Sequence, residues 1–244
     1  MSHRPAIGEA DGKAEDVEAM FDAIAPRYDL LNRVLSLGID QHWRTNAIRR
    51  LADDQPSRIL DVATGTADLA IKAERMLHPR EVVGVDLSAE MLRYGRDKID
   101  AKGLSPRVSL VQGDAAALPF EDDAFDAALV AFGVRNFEDL GAGLRGIARV
   151  LHPGSRLVVL EFSYPRTFPI RPLYAWYSRH VLPRIGGVLS PDAGAYEYLP
   201  DSVAAFPDGA DFLARMQAAG FTDLRWEPLT FGIASLYDGR VPRT

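Results

Sequence analysis

Hydrophobic residues near the start of the chain recur every three or four positions, as they do on one face of an α-helix. The first such group comprises Val17, Met20, Phe21 and Ile24, and Pro26 interrupts it. A second group with the same spacing comprises Leu31, Leu35, Trp43, Ala47, Ile48 and Leu51. The pattern predicts a helical N-terminal cap over residues 1–51.

Beyond this cap, five short apolar runs alternate with amphipathic segments. The runs are RILDV, EVVGVD, RVSLV, FDAALVAF and RLVVLEF. Strands that are apolar on both faces and alternate with helices are typical of a parallel sheet covered by helices on both sides. Two further runs, FTDLRWEPL and FGIASLY, follow a predicted helix that ends at Gly220, and they predict an antiparallel closing pair. We therefore predict a Rossmann-like α/β fold with seven strands, mostly parallel.

Composition narrows the class of protein. The 244 residues include no cysteine, which excludes disulfides, thiolate metal sites and a cysteine nucleophile. We expect no metal site, because the histidines and acids lack metal-ligand spacing. A net charge of −6 argues against nucleic-acid binding. The polar N-terminus and the lack of a membrane-length apolar run predict a cytoplasmic protein.

One stretch departs from this acidic balance. Residues 162–191 contain no Asp or Glu, and they carry Arg166, Arg171, Arg179 and Arg184. The same stretch is rich in aromatic residues, and Leu173, Trp176, Tyr177, His180 and Val181 share one predicted helical face. A basic, aromatic segment of this kind suits a membrane interface. An ordinary covering helix or a homodimer contact remains an alternative.

The turn after the first strand carries the first sign of chemistry. Asp61 is followed by small residues up to Asp68, with Gly65 between them, so a ligand could approach the backbone closely. The turn is neither the GxGxxG of a dinucleotide site nor a phosphate-binding P-loop, and a dehydrogenase is disfavoured for that reason. An acid at a strand end is a poor neighbour for a pyrophosphate and a good one for an amino group.

Two more acids follow the next two strands. Asp86 is placed to accept both hydroxyls of a ribose. Asp114, followed by Ala115, is placed to accept from an adenine amino group. Three acids at three consecutive strand ends fit one ligand with an amine, a ribose and an adenine, and S-adenosyl-L-methionine matches that description. The alternative is that each acid caps a helix or turn.

Four stretches then resemble one family. They are YDLLN at 28–32 with Ser36 and Trp43, FGVRNF at 132–137, RVLHPGS at 149–155 with EFS at 161–163, and YEYLP at 196–200 with Ser202. The chain is similar in these motifs to the ubiquinone/menaquinone biosynthesis C-methyltransferases, which have the class I S-adenosylmethionine-dependent methyltransferase fold. The resemblance implies methyl transfer to a prenylated hydroquinone, from demethylmenaquinol to menaquinol, with S-adenosyl-L-homocysteine as product.

The resemblance also implies which residues bind the methyl donor. It carries over Thr66, Asp86, Asp114 with Ala115, and Ala131, while Asp61 and Gly65 join them on the physical argument above. Many relatives have a serine at the position of Ala131, so only a backbone or van der Waals contact could carry over there. Asp40, His152 and Ser155 also depart from the family pattern, which usually has His, Lys and Gly at these positions.

For catalysis the sequence suggests Arg135 and Asn136, just past the fourth strand, with Tyr28 from the cap. A guanidinium and an amide could favour the ring oxyanion that activates the target carbon. Arg135 is too basic to remove a proton, so a water held by these three residues is the candidate for proton transfer. The alternatives are that Arg135 pairs with Glu138 or Asp139 and that Tyr28 is a packing residue. His42 is interpreted as a surface or packing histidine.

These inferences combine into one predicted organisation. We predict a single methyltransferase domain over 1–244, with the cap (1–51), a cofactor-binding core (58–163), a substrate- or membrane-facing insertion (164–204) and a closing helix with strands (205–244). A ubiquinone-pathway or dual-specificity quinol methyltransferase remains an alternative, as does a non-catalytic cofactor-binding protein of the same fold. Peripheral association with the inner face of the cell membrane through 162–191 would bring the enzyme to its prenylated substrate.

Overall fold

A computed structural model describes residues 13–27, 29–30, 33, 36, 38–180 and 194–243. Seven strands form its single sheet: β1 (Arg58–Val62), β2 (Glu81–Asp86), β3 (Val108–Gln112), β4 (Phe125–Ala131), β5 (Leu151–Phe162), β6 (Thr222–Leu229) and β7 (Ala234–Arg240). They lie in the order β3-β2-β1-β4-β5-β7-β6. The first five strands are parallel, so their carboxyl ends share one edge of the sheet.

The closing strands behave as the sequence predicts. Strand β7 lies between β5 and β6 and is antiparallel to both. The short connection between β6 and β7 allows this arrangement, since antiparallel neighbours need no crossover helix. The predicted seven-stranded, mostly parallel sheet with an antiparallel closing strand is confirmed.

Helices cover both faces of this sheet. Their bounds are α1 (Lys13–Ile24), α2 (Asp40–Arg49), α3 (Asp68–Leu77), α4 (Ala89–Ala101), α5 (Leu140–Val150), α6 (Ile170–His180), α7 (Gly194–Ala205) and α8 (Ala210–Ala218). Helices α2, α3 and α4 contribute to one hydrophobic core. Helices α5 and α8 contribute to the core on the opposite face.

The strands are apolar throughout because both of their faces are buried. In β1, Ile59 belongs to one core and its neighbour Leu60 to the other, and neither is exposed to solvent. Local signals then set the helix ends. The Ser88 hydroxyl accepts a hydrogen bond from the amide of Met91 at the start of α4, and the Asp139 carboxylate accepts one from Ala142 at the start of α5.

Two predicted strand starts differ from the structure by more than one residue. Leu151 has the spacing of the α5 face, but its backbone is extended and pairs with Phe125, so β5 begins there instead of at Arg156. Strand β7 begins at Ala234 instead of Phe231, because residues 230–232 form a 3-10 turn in which Phe231 has a left-handed backbone. In both cases backbone geometry overrode the hydrophobic pattern.

Some predictions fall on residues that the structure does not describe. Tyr28, Leu31, Leu35, Val181 and the remainder of 181–193 lie outside the described ranges. Within those ranges, no helix combines the length and the apolar character that crossing a bilayer requires.

Candidate active site

A cleft opens at the carboxyl edge of the sheet, with an empty volume of about 750 Å³. The loops after β1, β2, β3 and β4 form its base and sides, and helix α1 contributes Glu18 and Phe21. Among the residues predicted to bind the methyl donor, the cleft is lined by Gly65, Asp86, Asp114 and Ala115. Since these residues are distant in sequence, the parallel sheet is what brings them together.

The loop after β1 approaches the cleft through small residues in left-handed conformations. Ala63 and Gly65 line the cleft, and both have positive φ angles, of 54° and 56°. Glycine adopts this conformation without strain, whereas alanine does so at a cost of roughly 1–2 kcal/mol. The amide of Gly65 donates a hydrogen bond to Asp86 Oδ2 at 2.7 Å, which fixes the loop against β2.

Asp86 ends strand β2 with its carboxylate at the cleft. Its Oδ1 atom accepts a hydrogen bond from the amide of Ser88 at 3.0 Å. Burial raises the pKa of Asp86, and these backbone hydrogen bonds oppose that rise. A carboxylate offers about four acceptor positions, so two backbone donors leave capacity for ligand hydroxyls.

Asp114 and Ala115 occupy the corresponding place after β3. The Asp114 carboxylate accepts from the amide of Ala116 at 2.9 Å, which caps the short 3-10 helix Ala115–Ala117. Helix α5 packs closely behind this turn, because a Cβ atom on Gly146 would lie only 2.3 Å from the Ala115 carbonyl oxygen. The alternative of capping acids therefore applies to Asp114, which also lines the cleft.

Asp61 lies behind the cleft and does not line it. Its side chain is fully buried, Oδ2 accepts from the Thr64 hydroxyl at 2.6 Å, and Oδ1 has no hydrogen-bond partner among the described residues. Desolvation raises the pKa of Asp61 to about 7, against the effect of the Thr64 hydrogen bond and the Arg44 charge. A buried oxygen without a partner is costly, so a ligand donor that reaches it would be favoured.

Besides Asp61, two more of the predicted donor-binding residues do not line the cleft. The Thr66 hydroxyl donates to Asp29 Oδ1 at 2.5 Å and accepts from Lys98 Nζ at 2.9 Å. Lys98 also bridges the carboxylates of Asp29 and Asp68, so Thr66 belongs to a cluster that ties the N-terminal segment to α3 and α4. Ala131 is buried at the end of β4, beside Phe132, which does line the cleft.

Arg135 occupies the predicted place after β4, but it faces the protein interior. Its Nη1 atom lies 2.7 Å from Glu161 Oε1, and both side chains are almost fully enclosed. Among the described residues its ion-pair partner is thus Glu161 of β5, and not the neighbouring Glu138 or Asp139. The Glu161 carboxylate balances the guanidinium charge. Arg135 is not one of the residues that line the cleft.

Asn136 lies on the cleft wall, and its Oδ1 atom accepts a hydrogen bond from the Tyr198 hydroxyl at 3.1 Å. Sequence reasoning missed the roles of Glu161 and Tyr198. The signal was available, since both lie in motifs that carry the family resemblance, EFS and YEYLP. Tyr28, the third predicted catalytic residue, lies outside the described residues. His42 is exposed on α2, which fits its interpretation as a surface histidine.

Aromatic rings pack beside the turn that follows β4. The rings of Phe132 and Phe162 stack with centroids 4.5 Å apart, and Trp43 packs against both at 6.2 and 6.3 Å. The Trp43 indole donates to the Thr230 hydroxyl at 2.8 Å, which joins α2 to the turn before β7.

The strand order of the sheet and the cleft at its carboxyl edge are those of the class I methyltransferase fold. Solved structures support this assignment.

One solved structure with this fold is the [4+2]-cyclase SpnF, at a TM-score of 0.71 and 19% identity, covering 95% of this chain and 97% of that one. Another is Haemonchus contortus phosphoethanolamine N-methyltransferase 2 in complex with S-adenosyl-L-methionine, at a TM-score of 0.58 and 16% identity. That match covers 77% of this chain and 49% of the other. At these identities the likeness concerns the fold alone.

Comparison of sequences identifies the family, which the structural matches do not. The chain belongs to the ubiE/COQ5 methyltransferase family, which it matches over residues 9–240. It is 47% identical over 228 residues to a demethylmenaquinone methyltransferase of Bacteroides fragilis, covering 93% of both chains. It is 48% identical to the Deinococcus radiodurans protein of that name, covering 97% of both. A ubiquinone/menaquinone biosynthesis C-methyltransferase UbiE of Syntrophotalea carbinolica is 50% identical, covering 92% of this chain and 94% of that one.

Proposed function

We propose that this protein transfers the methyl group of S-adenosyl-L-methionine to a ring carbon of a prenylated hydroquinone, converting demethylmenaquinol to menaquinol. The observation that carries the proposal is the near-full-length identity of 47–48% to demethylmenaquinone methyltransferases. The cleft supports it, because acidic residues that follow two neighbouring strands, Asp86 and Asp114, line the same cleft. The methyl–sulfur bond of the sulfonium breaks as the methyl group bonds to the ring carbon, and S-adenosyl-L-homocysteine leaves. The ring carbon then loses its proton to water, which restores the aromatic ring.

The residues of the cleft suit such a donor. Asp86 would accept from the ribose hydroxyls, and Asp114 with Ala115 would hold the adenine. The turn around Gly65 would lie against the amino-acid end, with the unpaired Asp61 Oδ1 behind it as a buried acceptor for an ammonium group. Placement of donor and ring carbon in line lowers the barrier by itself, because positioned reactants avoid the entropy cost of encounter.

The ring carbon must also be made nucleophilic. A neighbouring ring oxyanion does this, and a preorganised hydrogen-bond donor favours the oxyanion. Asn136 is suited to this role, since it lines the cleft and carries an amide. Arg135 supports the turn from behind through Glu161.

The test is a turnover assay with purified protein, labelled methyl donor and a short-tailed demethylmenaquinol, with products separated by chromatography. We expect label in menaquinol. A second arm uses a prenylated benzoquinol that lacks the ring methyl group, because one 50% identical relative is named for both quinone pathways. Label in both products would establish dual specificity. Donor binding without label in either product would overturn the proposal and favour a non-catalytic role.

The proposed contact between Asp86 and the ribose hydroxyls can be tested by substitution. Asp86→Asn keeps the size of the side chain and removes its charge and half of its acceptor capacity. We expect at least tenfold weaker binding of S-adenosyl-L-methionine by calorimetry, since two ribose hydroxyls compete for one remaining acceptor oxygen. The exposed Asp53→Asn variant is the control. Unchanged affinity in the Asp86 variant would rule out the ribose contact.

We further propose that the basic, aromatic segment docks on the membrane that holds the prenylated substrate. The support comes from exposed apolar side chains, here called the apolar rim: Phe168, Leu173 and Trp176 of the segment, and Phe231 of the turn before β7. Exposed large apolar groups are costly in water and mark interaction surfaces. The Ser163 hydroxyl donates to the Gly232 carbonyl at 2.9 Å, so this turn lies beside the start of the segment.

The charge of this segment is smaller than its sequence indicates. Arg166 and Arg171 are both exposed, and Arg166 forms an ion pair with Asp208, which lies outside the segment. Attraction to anionic lipid headgroups would thus depend on fewer arginines than the four in residues 162–191.

A further inference from the structure

Two side chains of helix α7 form hydrogen bonds with the turn that follows β4. Tyr198 and Ser202 are four residues apart, and residues with this spacing share one face of a helix. The Tyr198 hydroxyl donates to Asn136 Oδ1 at 3.1 Å, and the Ser202 hydroxyl accepts from Arg135 Nε at 3.3 Å. One face of α7 therefore holds two consecutive residues of the 3-10 turn Val134–Asn136.

The same turn is held from the sheet side by Glu161. Its Oε1 atom accepts from Arg135 Nη1 at 2.7 Å, and its Oε2 atom accepts from the Arg135 backbone amide at 3.2 Å. Glu161 has no solvent exposure, so both hydrogen bonds are protected from competition with water. With α7 on one side and β5 on the other, the backbone of the turn has little freedom to rotate Asn136.

The orientation of the Asn136 carboxamide has a chemical consequence. An amide group has one acceptor oxygen and one donor nitrogen on opposite sides of the same carbon. Since Oδ1 accepts from the Tyr198 hydroxyl, Nδ2 is directed away from that hydroxyl. Asn136 lines the cleft, and no other hydrogen bond to its side chain occurs among the described residues.

We propose that Tyr198 is a positioning residue for methyl transfer: its hydroxyl holds Asn136 Oδ1, so that the Asn136 amide presents N–H donors to an oxyanion of the substrate ring in the cleft. This inference rests on the proposed function for the nature of the substrate. It assigns to Tyr198 no contact with substrate. Burial raises the pKa of Tyr198, which keeps its hydroxyl protonated and able to donate around neutral pH.

The experiment compares Tyr198→Phe, Asn136→Ala and the double variant with the wild type. Tyr198→Phe removes one hydroxyl and keeps the ring. We expect its kcat to fall at least tenfold, with the Kd for S-adenosyl-L-methionine within twofold of the wild-type value. The double variant should lose no more activity than Asn136→Ala alone, because Tyr198 acts only through Asn136.

Tyr237→Phe is the matched control, since it removes a buried tyrosine hydroxyl that accepts from the Gly209 amide away from the cleft. It should lower the thermal midpoint and leave kcat unchanged at temperatures well below that midpoint. Wild-type kcat in Tyr198→Phe, or losses that multiply in the double variant, would overturn the inference.

A second readout needs no turnover. The side-chain amide resonances of Asn136, identified by their absence in Asn136→Ala, should shift in Tyr198→Phe with the methyl donor bound. If the wild type fails to methylate any quinol, the proposed function fails, and this spectrum still decides whether Tyr198 orients Asn136. Unmoved resonances would refute the orientation.

Discussion

Asp61 is a carboxyl group in a place that does not favour its charge. It is enclosed at the end of β1, the Thr64 hydroxyl satisfies one oxygen, and the other oxygen has no partner among the described residues. Burial raises the pKa of Asp61 from 3.8 to about 7. Between those values the folded protein binds more protons than the unfolded chain, so this group makes the protein less stable as pH rises.

We therefore predict that Asp61→Asn removes a pH dependence of stability. The wild type should lose about 3 kcal/mol relative to the variant between about pH 5 and about pH 8, because a carboxamide carries no charge to desolvate. Urea unfolding of both proteins at the two pH values measures this difference, with Asp53→Asn as the exposed control. If the stabilities of wild type and variant changed in parallel with pH, a raised pKa of the buried Asp61 would be excluded.

Arg135 and Glu161 illustrate a second residue-scale effect. Breaking a buried ion pair leaves one charge without compensation. We expect Arg135→Ala to reduce the free energy of unfolding by about 3–5 kcal/mol. Adding Glu161→Gln should restore part of the loss, since the remaining partner is then neutral. Chemical denaturation of the single and double variants tests this, and wild-type stability in Arg135→Ala would contradict the buried pair.

At the scale of elements, the loops after β1 and β4 meet at one point. A Cβ atom on Gly133 would lie 2.4 Å from the Cβ atom of Ala63, which real side chains do not tolerate. The φ angle of Gly133 is −120°, so glycine is required there by the close approach and not by the backbone conformation. Ala63, in contrast, has the left-handed backbone that favours glycine.

This contact predicts a reciprocal rescue. Gly133→Ala should destabilise the protein by about 1–3 kcal/mol through overpacking. The double variant Gly133→Ala with Ala63→Gly should recover most of that loss, because the new methyl group takes the place of the old one and Ala63→Gly relieves a left-handed alanine. Thermal unfolding of the three variants is the measurement, and equal stability of the single and double variants would contradict the contact.

Elements were predictable where the hydrophobic pattern and the backbone agreed. The central strands β1, β2 and β4 are continuous apolar runs, and their bounds follow the sequence closely. Strand β7 extends to Arg240 although its last residues are polar. Asp238 and Arg240 are accommodated there by ion pairs with Arg156 and Asp54, which are distant in sequence. Because these ion pairs form only in the folded chain, the end of β7 could not be predicted from hydrophobic periodicity.

At the scale of the whole molecule, the apolar rim holds the four most exposed large hydrophobic side chains of the described residues. Phe168 and Phe231 are 88% and 72% exposed, and Trp176 is 56% exposed. Phe231 lies in the turn before β7, outside the segment that sequence composition marks. The rim thus combines residues from two parts of the chain beside the carboxyl edge of the sheet.

We predict that the rim binds lipid vesicles. Phe168→Ser with Trp176→Gln should weaken co-sedimentation with vesicles of phosphatidylcholine and phosphatidylglycerol at least tenfold, since two large apolar groups would no longer insert. Vesicles of phosphatidylcholine alone should bind the wild type more weakly. Trp226→Gln, at a partly exposed tryptophan of β6, is the control. Unaltered binding of the double variant would refute docking, and a change from dimer to monomer in sedimentation would assign the rim to self-association.

The sequence by itself determined the seven strands and the antiparallel closing pair, because burial on both faces leaves a pattern that is readable along the chain. It also determined that Asp86, Asp114 and Gly65 meet, since parallel strands bring their carboxyl ends to one edge. Only the tertiary structure decided that Arg135 faces Glu161 and that Tyr198 holds Asn136. It also turned the Thr66 hydroxyl toward Lys98 and away from the cleft. Side-chain direction and partner choice depend on packing between distant segments, and one-dimensional periodicity does not record that.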